Sequence, residues 1–187
     1  YNDTSSGKLY IENSTNKVNP LITGDFQNDR LAINRQADTY PFQVGTDVTN
    51  GNAAYLTAGG TWTSTSSKAL KDRFKTIDNT ELLSKIENLE IKGWFYKETQ
   101  EYHIGPFAED FYNNFGTGVL NEPIYLGKSL AASDVAGVSL LAVQQLITQN
   151  KKLKQEVELL KAKTREIDKL KAEIEKIKSI ISSSVSK

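Results

Sequence analysis

A serine can attack a peptide carbonyl only if a base removes its proton, and the junction Thr61-Trp62-Thr63-Ser64-Thr65-Ser66-Ser67-Lys68-Ala69-Leu70-Lys71-Asp72-Arg73-Phe74 holds such a pair, Ser66 and Lys71. A lysine serves as that base when burial or a neighbouring cation brings its pKa into the neutral range. On a continuous helix, positions five apart point to different faces. Lys71 therefore reaches Ser66 only if Ser66 lies before the helix, or if Lys71 comes from another chain. The competing reading makes Ser66 or Ser67 an ordinary helix N-cap. His103, Glu109 and Asp110 form a second titratable group, but no further catalytic set accompanies them, so a hydrogen-bonded structural histidine is the stronger reading. The chain has no Cys and one His, which excludes thiolate chemistry and a His/Cys zinc site. No metal and no cofactor is expected. Paired carboxylates at a persuasive spacing and a Ser-His-Asp set are absent too, which disfavours an enzyme acting on external substrates.

The elements that position the Ser66/Lys71 pair lie on both sides of it. Before it, short strand-like runs at residues 8–12, 21–23, 30–34, 42–45 and 54–57 alternate with Gly, Asn, Asp, Thr and Pro. Large apolar residues are few, so residues 1–65 would struggle to bury a core alone. They read as a small β domain or, preferred, as the end of an intertwined β stalk whose core forms between three chains. Ala58, Gly59 and Gly60 lack the context of a phosphate loop and read as a turn into Trp62. At residues 61–74, small hydroxyl residues give way to a charged helix pattern.

After the junction comes a small mixed body, residues 66–130. Leu82, Leu83, Ile86 and Leu89 fit a short amphipathic helix capped by Asp78 or Thr80. Residues 90–96 and 101–104 alternate as a hairpin around residues 97–100. A second helix is expected from Pro106 through Phe115, with Gly116 and Gly118 ending it. Trp94, Tyr96, Phe107, Phe111 and Phe115 are read as core packing.

Residues 134–185 read as one long helix. Its first part, Val135, Val138, Leu140, Leu141, Ala142, Val143, Leu146 and Ile147, is apolar over a wide arc that other protein must cover. Beyond Asn150 the pattern narrows to a seam. Leu153, Val157, Leu160 and Ile167, then after a shift of three Leu170, Ile174, Ile177 and Ile181, make a coiled coil with one stammer. Lys154, Lys161, Lys171 and Lys178 fall at e, and Glu156 and Glu173 at g. A parallel assembly thus lets Glu156 meet Lys161 and Glu173 meet Lys178 of a neighbour. Isoleucine at both a and d favours three strands, with Asn150 or Thr164 as polar register markers. The expectation is an α+β chain forming a parallel homotrimer.

Composition narrows the partners. Lys plus Arg and Asp plus Glu both number 23 in 187 residues, so no nucleic-acid or anionic-membrane surface is expected. No run approaches the ~20 apolar residues of a membrane span, and no signal peptide is visible. The chain starts at Tyr1 and contains no Met, and is expected to be a piece of something longer.

From Ser66 to about Leu160 the chain resembles the C-terminal intramolecular chaperone domain of phage tailspikes and endosialidases, the peptidase S74 domain, also found in bacterial fibre proteins and myelin regulatory factors. Ser66-Ser67-Lys68-Ala69-Leu70-Lys71 resembles the S-D-x-R-x-K cleavage motif, with Ser67 in place of Asp and Ala69 in place of Arg. Trp94-Phe95-Tyr96-Lys97 with His103-Ile104-Gly105-Pro106-Phe107-Ala108-Glu109-Asp110 resembles the F-x-Y-K and H-x-G-x-x-A-Q/E-D region. Gly137-Val138 with Ala142-Val143-Gln144-Gln145-Leu146 resembles the start of the long helix. The resemblance implies a trimeric folding aid, residues 66–187, that templates the preceding fibre stalk, residues 1–65, and then releases itself. It makes Ser66 the nucleophile, Lys71 the general base and Thr65-Ser66 the scissile bond, in a single-turnover autoproteolysis through an ester. The expected setting is a virion tail fibre or a bacterial cell-surface, extracellular fibre. A non-cleaving trimeric adhesin or receptor-binding tip is the alternative, which exposure of Trp94, Tyr96 or Tyr102 would favour.

Overall fold

The computed structural model describes residues 7–14, 19–46, 49–117 and 127–185. They form two compact units, Tyr1–Thr76 and Ile77–Lys187. The chain is α+β: strands dominate the first unit, and the second combines helices with one hairpin.

The first unit is a single six-stranded sheet in chain order, β1 (Lys8–Ile11), β2 (Ile22–Asp25), β3 (Arg30–Ile33), β4 (Phe42–Thr46), β5 (Thr49–Leu56) and β6 (Trp62–Thr63). All neighbours are antiparallel except β3 and β4, which run parallel with Ala32 opposite Gln43. All five strand-like runs of the sequence become strands, displaced by a few residues at their ends. Among the described residues of this unit, the buried side chains are Pro20 and otherwise small or polar: Ala32, Ala37, Ala54, Thr23, Asp25 and Gln43. Ile11, Leu21, Phe26, Leu31 and Trp62 stay exposed in the single chain, as expected of a segment poor in large apolar groups.

Polar side chains hold this sheet. Gln43, 1% exposed, accepts the backbone N–H groups of Asp38, Thr39 and Tyr40 on Oε1 at 3.3, 3.2 and 3.3 Å. One amide thereby closes the connection that lets β4 return parallel to β3. Asp25 accepts from Gln27 N and Asn28 N across the β2–β3 turn and from Lys8 Nζ at 2.7 Å. The Lys8 hydrogen bond, then that of Asn28, holds its carboxyl at about 2.

In the second unit, α1 (Leu82–Glu87) precedes a hairpin of β7 (Ile91–Phe95) and β8 (Tyr102–Pro106), then α2 (Ala108–Phe115) and α3 (Ala132–Val185). Neither expected residue caps α1. Its N-cap is Glu81, without a side-chain bond, while Asp78 accepts Thr80 N at 2.9 Å and Thr80 Oγ1 at 2.7 Å in a turn before the helix. Pro106 ends β8 opposite Ile91 rather than opening α2, because Phe107 is still extended as its N-cap. Gly116 closes α2 in the left-handed conformation, its N–H bonded to Tyr112 O at 2.7 Å. Gly118 lies outside the described residues.

Phe111, 1% exposed, is the centre of this unit. It faces a cleft lined by Ile86, Leu89, Val135, Val138 and Ala142 and leans on Phe115 with ring centroids 4.8 Å apart. Core packing thus accounts for Phe111 but not for all five aromatics: Tyr96 is exposed and Trp94 half-buried. The reason lies in the hairpin: among the described residues no third strand pairs with β7 or β8. Trp94 stacks on His103 at 4.7 Å and meets Tyr96 edge-on at 4.8 Å.

Helix α3 starts two residues before its expected position and runs 54 residues, about 81 Å at ~1.5 Å per residue. The wide arc splits. Val135, Val138, Leu141 and Ala142 pack towards the body, whereas Leu140, Val143, Leu146 and Ile147 stay half-exposed or more. All eight seam residues from Leu153 to Ile181 are likewise exposed. Lys161 and Lys178 bridge Glu158 and Glu175 of their own helix at 2.8 and 2.7 Å.

Candidate functional site

The junction is built by a strand end and one tight turn. Thr57 Oγ1 accepts Thr61 N at 3.0 Å and Thr57 O accepts Gly60 N at 3.0 Å. This is the expected turn into Trp62, and Gly60 takes φ +82° there. The chain then pairs back on β5, Leu56 opposite Trp62 and Tyr55 opposite Thr63. Two residues past that ladder, Thr65 is held again: its N–H donates to Asn52 O at 3.2 Å, and Asn52 Nδ2 donates to Thr65 O at 2.7 Å.

Asn52 reaches Thr65 because β5 is distorted around it. Gly51, Asn52 and Ala53 have φ of +115°, +53° and +51°. A side chain at Gly51 would place its Cβ 2.6 Å from Val44 Cγ1, so only glycine fits. Asn tolerates the left-handed region, while Ala there costs ~1–2 kcal/mol. Strain of this kind persists only where the surrounding structure enforces it.

Beyond Thr65, the backbone brings the spaced pair together. Ser67 is the N-cap, with φ −62° and ψ 140°, and its Oγ accepts Ala69 N at 3.3 Å. Only one 3-10 turn, Lys68–Leu70, succeeds it instead of a charged helix, and Lys71 is extended again at φ −123°, ψ 144°. Ser66 precedes the turn and Lys71 comes after it. Lys71 Nζ donates to Ser66 Oγ at 2.7 Å. Residues five apart, which would point away from each other on an α-helix, are folded back on each other within one chain. Ser67 takes the capping role, which leaves the Ser66 hydroxyl for the lysine.

The surroundings are open. Ser66 and Lys71 are both exposed. Lys68 Nζ lies 5.7 Å from the centre of the Phe74 ring, and Arg73 Nε pairs with Asp72 at 3.1 Å. The neutral form of Lys71 would accept the Ser66 proton along the contact its ammonium now makes as donor. Asn52, in β5, lies 13 residues before Thr65, and no pattern in the sequence marks it.

The other titratable group does not assemble. Among the described residues the carboxylate paired with His103 is that of Glu101, with Oε2 3.8 Å from Nε2. Glu109 and Asp110 sit in the first turn of α2, where negative charge suits the helix dipole. His103 Nε2 is buried and, among the described residues, has no hydrogen-bond partner. Its ring stacks on Trp94 with centroids 4.7 Å apart. Among the described residues no group of His, Asp and Glu could hold a metal ion, and no helix is long and apolar enough to cross a membrane.

Comparison with known proteins bears directly on this region. The family model Peptidase_S74, chaperone of endosialidase, matches residues 66–120, beginning at Ser66. The match takes in the Ser66/Lys71 turn, the hairpin and α2, and it supports a chaperone-type role. No curated protein and no solved structure matches the chain.

Proposed function

We propose, with residues 66–120 as a segment of the endosialidase-chaperone type, that the chain is a trimerisation and folding-chaperone module at the C-terminal end of a fibre or tailspike protein, cutting itself between Thr65 and Ser66. Residues 1–65 are then the end of the fibre stalk and residues 66–187 the chaperone domain, with body 66–130 and clamp 134–185. Its partners are two further copies and its own preceding fibre. Its setting is a virion tail fibre or a bacterial cell-surface fibre.

The contact of Lys71 Nζ with Ser66 Oγ at 2.7 Å is the observation that supports cutting. In the reaction, neutral Lys71 takes the hydroxyl proton and Ser66 Oγ bonds to the Thr65 carbonyl carbon. The carbon–nitrogen bond to Ser66 then breaks, and the leaving nitrogen takes the proton from Lys71. The resulting Thr65 ester is hydrolysed by water to a Thr65 carboxylate and a free Ser66 hydroxyl and amine. Nucleophile and scissile carbonyl both belong to the first compact unit, as a self-cutting bond requires.

Light scattering of the purified chain should report a trimer, and a monomer would refute the assembly. Intact mass should reveal a fragment that starts at Ser66 and disappears in Ser66→Ala and Lys71→Ala. A folded trimer that stays full-length would instead favour the non-cleaving adhesin or receptor-binding tip. Tyr96 and Tyr102, 62% and 60% exposed on the hairpin, give that second reading its support.

A further inference from the structure

Resting on the Ser66/Lys71 reading, we propose that Asn52 is a further catalytic residue, the donor that receives the negative charge developing on Thr65 O during self-cleavage. Ser66 and Lys71 supply nucleophile and base, but nothing in that pair stabilises the oxyanion. The Asn52 side chain is already there, with Nδ2 2.7 Å from the carbonyl oxygen of the bond to be cut. A carbonyl only accepts, so the amide must present its nitrogen. The Asn52 backbone carbonyl meanwhile accepts Thr65 N–H at 3.2 Å, so the residue before the cut is gripped at both ends of its backbone.

The grip is not an extension of the ladder, which ends at Tyr55 opposite Thr63. It depends on three successive residues with positive φ, Gly51 to Ala53, that turn Asn52 towards Thr65. As Ser66 Oγ bonds to the Thr65 carbon, the carbonyl π pair moves onto Thr65 O. The Asn52 N–H meets that charge without reorganising, which is how a preorganised donor lowers a barrier. When the intermediate collapses, the pair returns to the carbonyl and the bond to Ser66 N breaks, with the proton coming from Lys71. Asn52 neither gains nor loses a proton.

The test times self-cleavage of full-length chains by intact mass after refolding, comparing wild type with Asn52→Asp and Asn52→Gly. Asp keeps the shape and loses the donor. Gly accepts φ +53° and keeps the backbone bond, so it carries the test if the Asp chain misfolds. Removing one such donor should slow release of the Ser66 fragment by about 10²–10³-fold, in a chain that still folds and keeps its oligomeric state. Hydroxylamine cleaves esters far faster than ordinary amides, and scoring the Ser66 fragment alone sets aside any cut at Asn50-Gly51; it should fail to speed release in either variant, because the slowed step forms the ester. A folded variant that cuts within about threefold of wild type overturns the role of Asn52 and leaves the Ser66/Lys71 reading standing. So does hydroxylamine release from a variant at the wild-type rate. A folded wild type that never cuts overturns both.

Discussion

Ending the chain after Asn150 should turn the assembly into monomers. The truncation removes the eight seam residues Leu153, Val157, Leu160, Ile167, Leu170, Ile174, Ile177 and Ile181, which are 46–61% exposed in the single chain. Burying a whole Leu, Ile or Val side chain is worth ~1.5–3 kcal/mol, so covering the remaining half yields ~1 kcal/mol each, ~8 per chain and ~24 over three chains. That is of the same order as the ~4–15 kcal/mol lost each time a free chain is fixed to another. Leu140, Val143, Leu146 and Ile147 remain in the truncated chain and, by the same measure, offer only about half as much. Light scattering and sedimentation over a concentration series should show a trimer for the full chain and a monomer for the truncated one. If cutting depends on assembly, the Ser66 fragment should be lost as well. A truncated chain that trimerises at the same concentration would refute the clamp and place the assembly energy elsewhere.

Other perturbations test the two units separately. Asp25 has its carboxyl lowered to about 2, so the stability it contributes is complete above the ordinary carboxylate range near 4 and is lost as pH falls towards 2. Denaturation of the wild type between those pH values should steepen relative to Asp25→Asn, followed by tryptophan fluorescence. Gln43→Leu keeps the volume but strands the three N–H groups that Oε1 accepts. It should cost ~1–3 kcal/mol or more in chemical denaturation. Phe111→Ala opens a void at the centre of the second unit and should cost ~3–5 kcal/mol, seen as an early transition in thermal melting. No change in melting would remove Phe111 from the core.

Features set by neighbours in the chain were legible in the sequence. Strands appeared where apolar runs meet turn residues, the hairpin where two alternating runs flank residues 97–100, and the long helix where the 3.6-residue period persists without a breaker. The pairing of Ser66 with Lys71 was legible as a possibility, because base and hydroxyl are chemistry that composition displays. Which serine would cap and which would face the lysine was not. That depended on whether the helix continued, and backbone angles at Ser67 and Lys71 limited it to one turn. Tertiary structure alone decided the parallel return of β4 beside β3, the burial of Gln43 and the approach of Asn52 to Thr65. The strand pairing and the Asn52 contact join residues more than ten apart, and the Gln43 amide meets backbone only because its connection folds over it, so local propensity carries no information about which partner meets either amide. The sequence therefore determined the serine, the lysine five residues after it and the long helix, while the folded sheet decided what touches the Thr65 carbonyl.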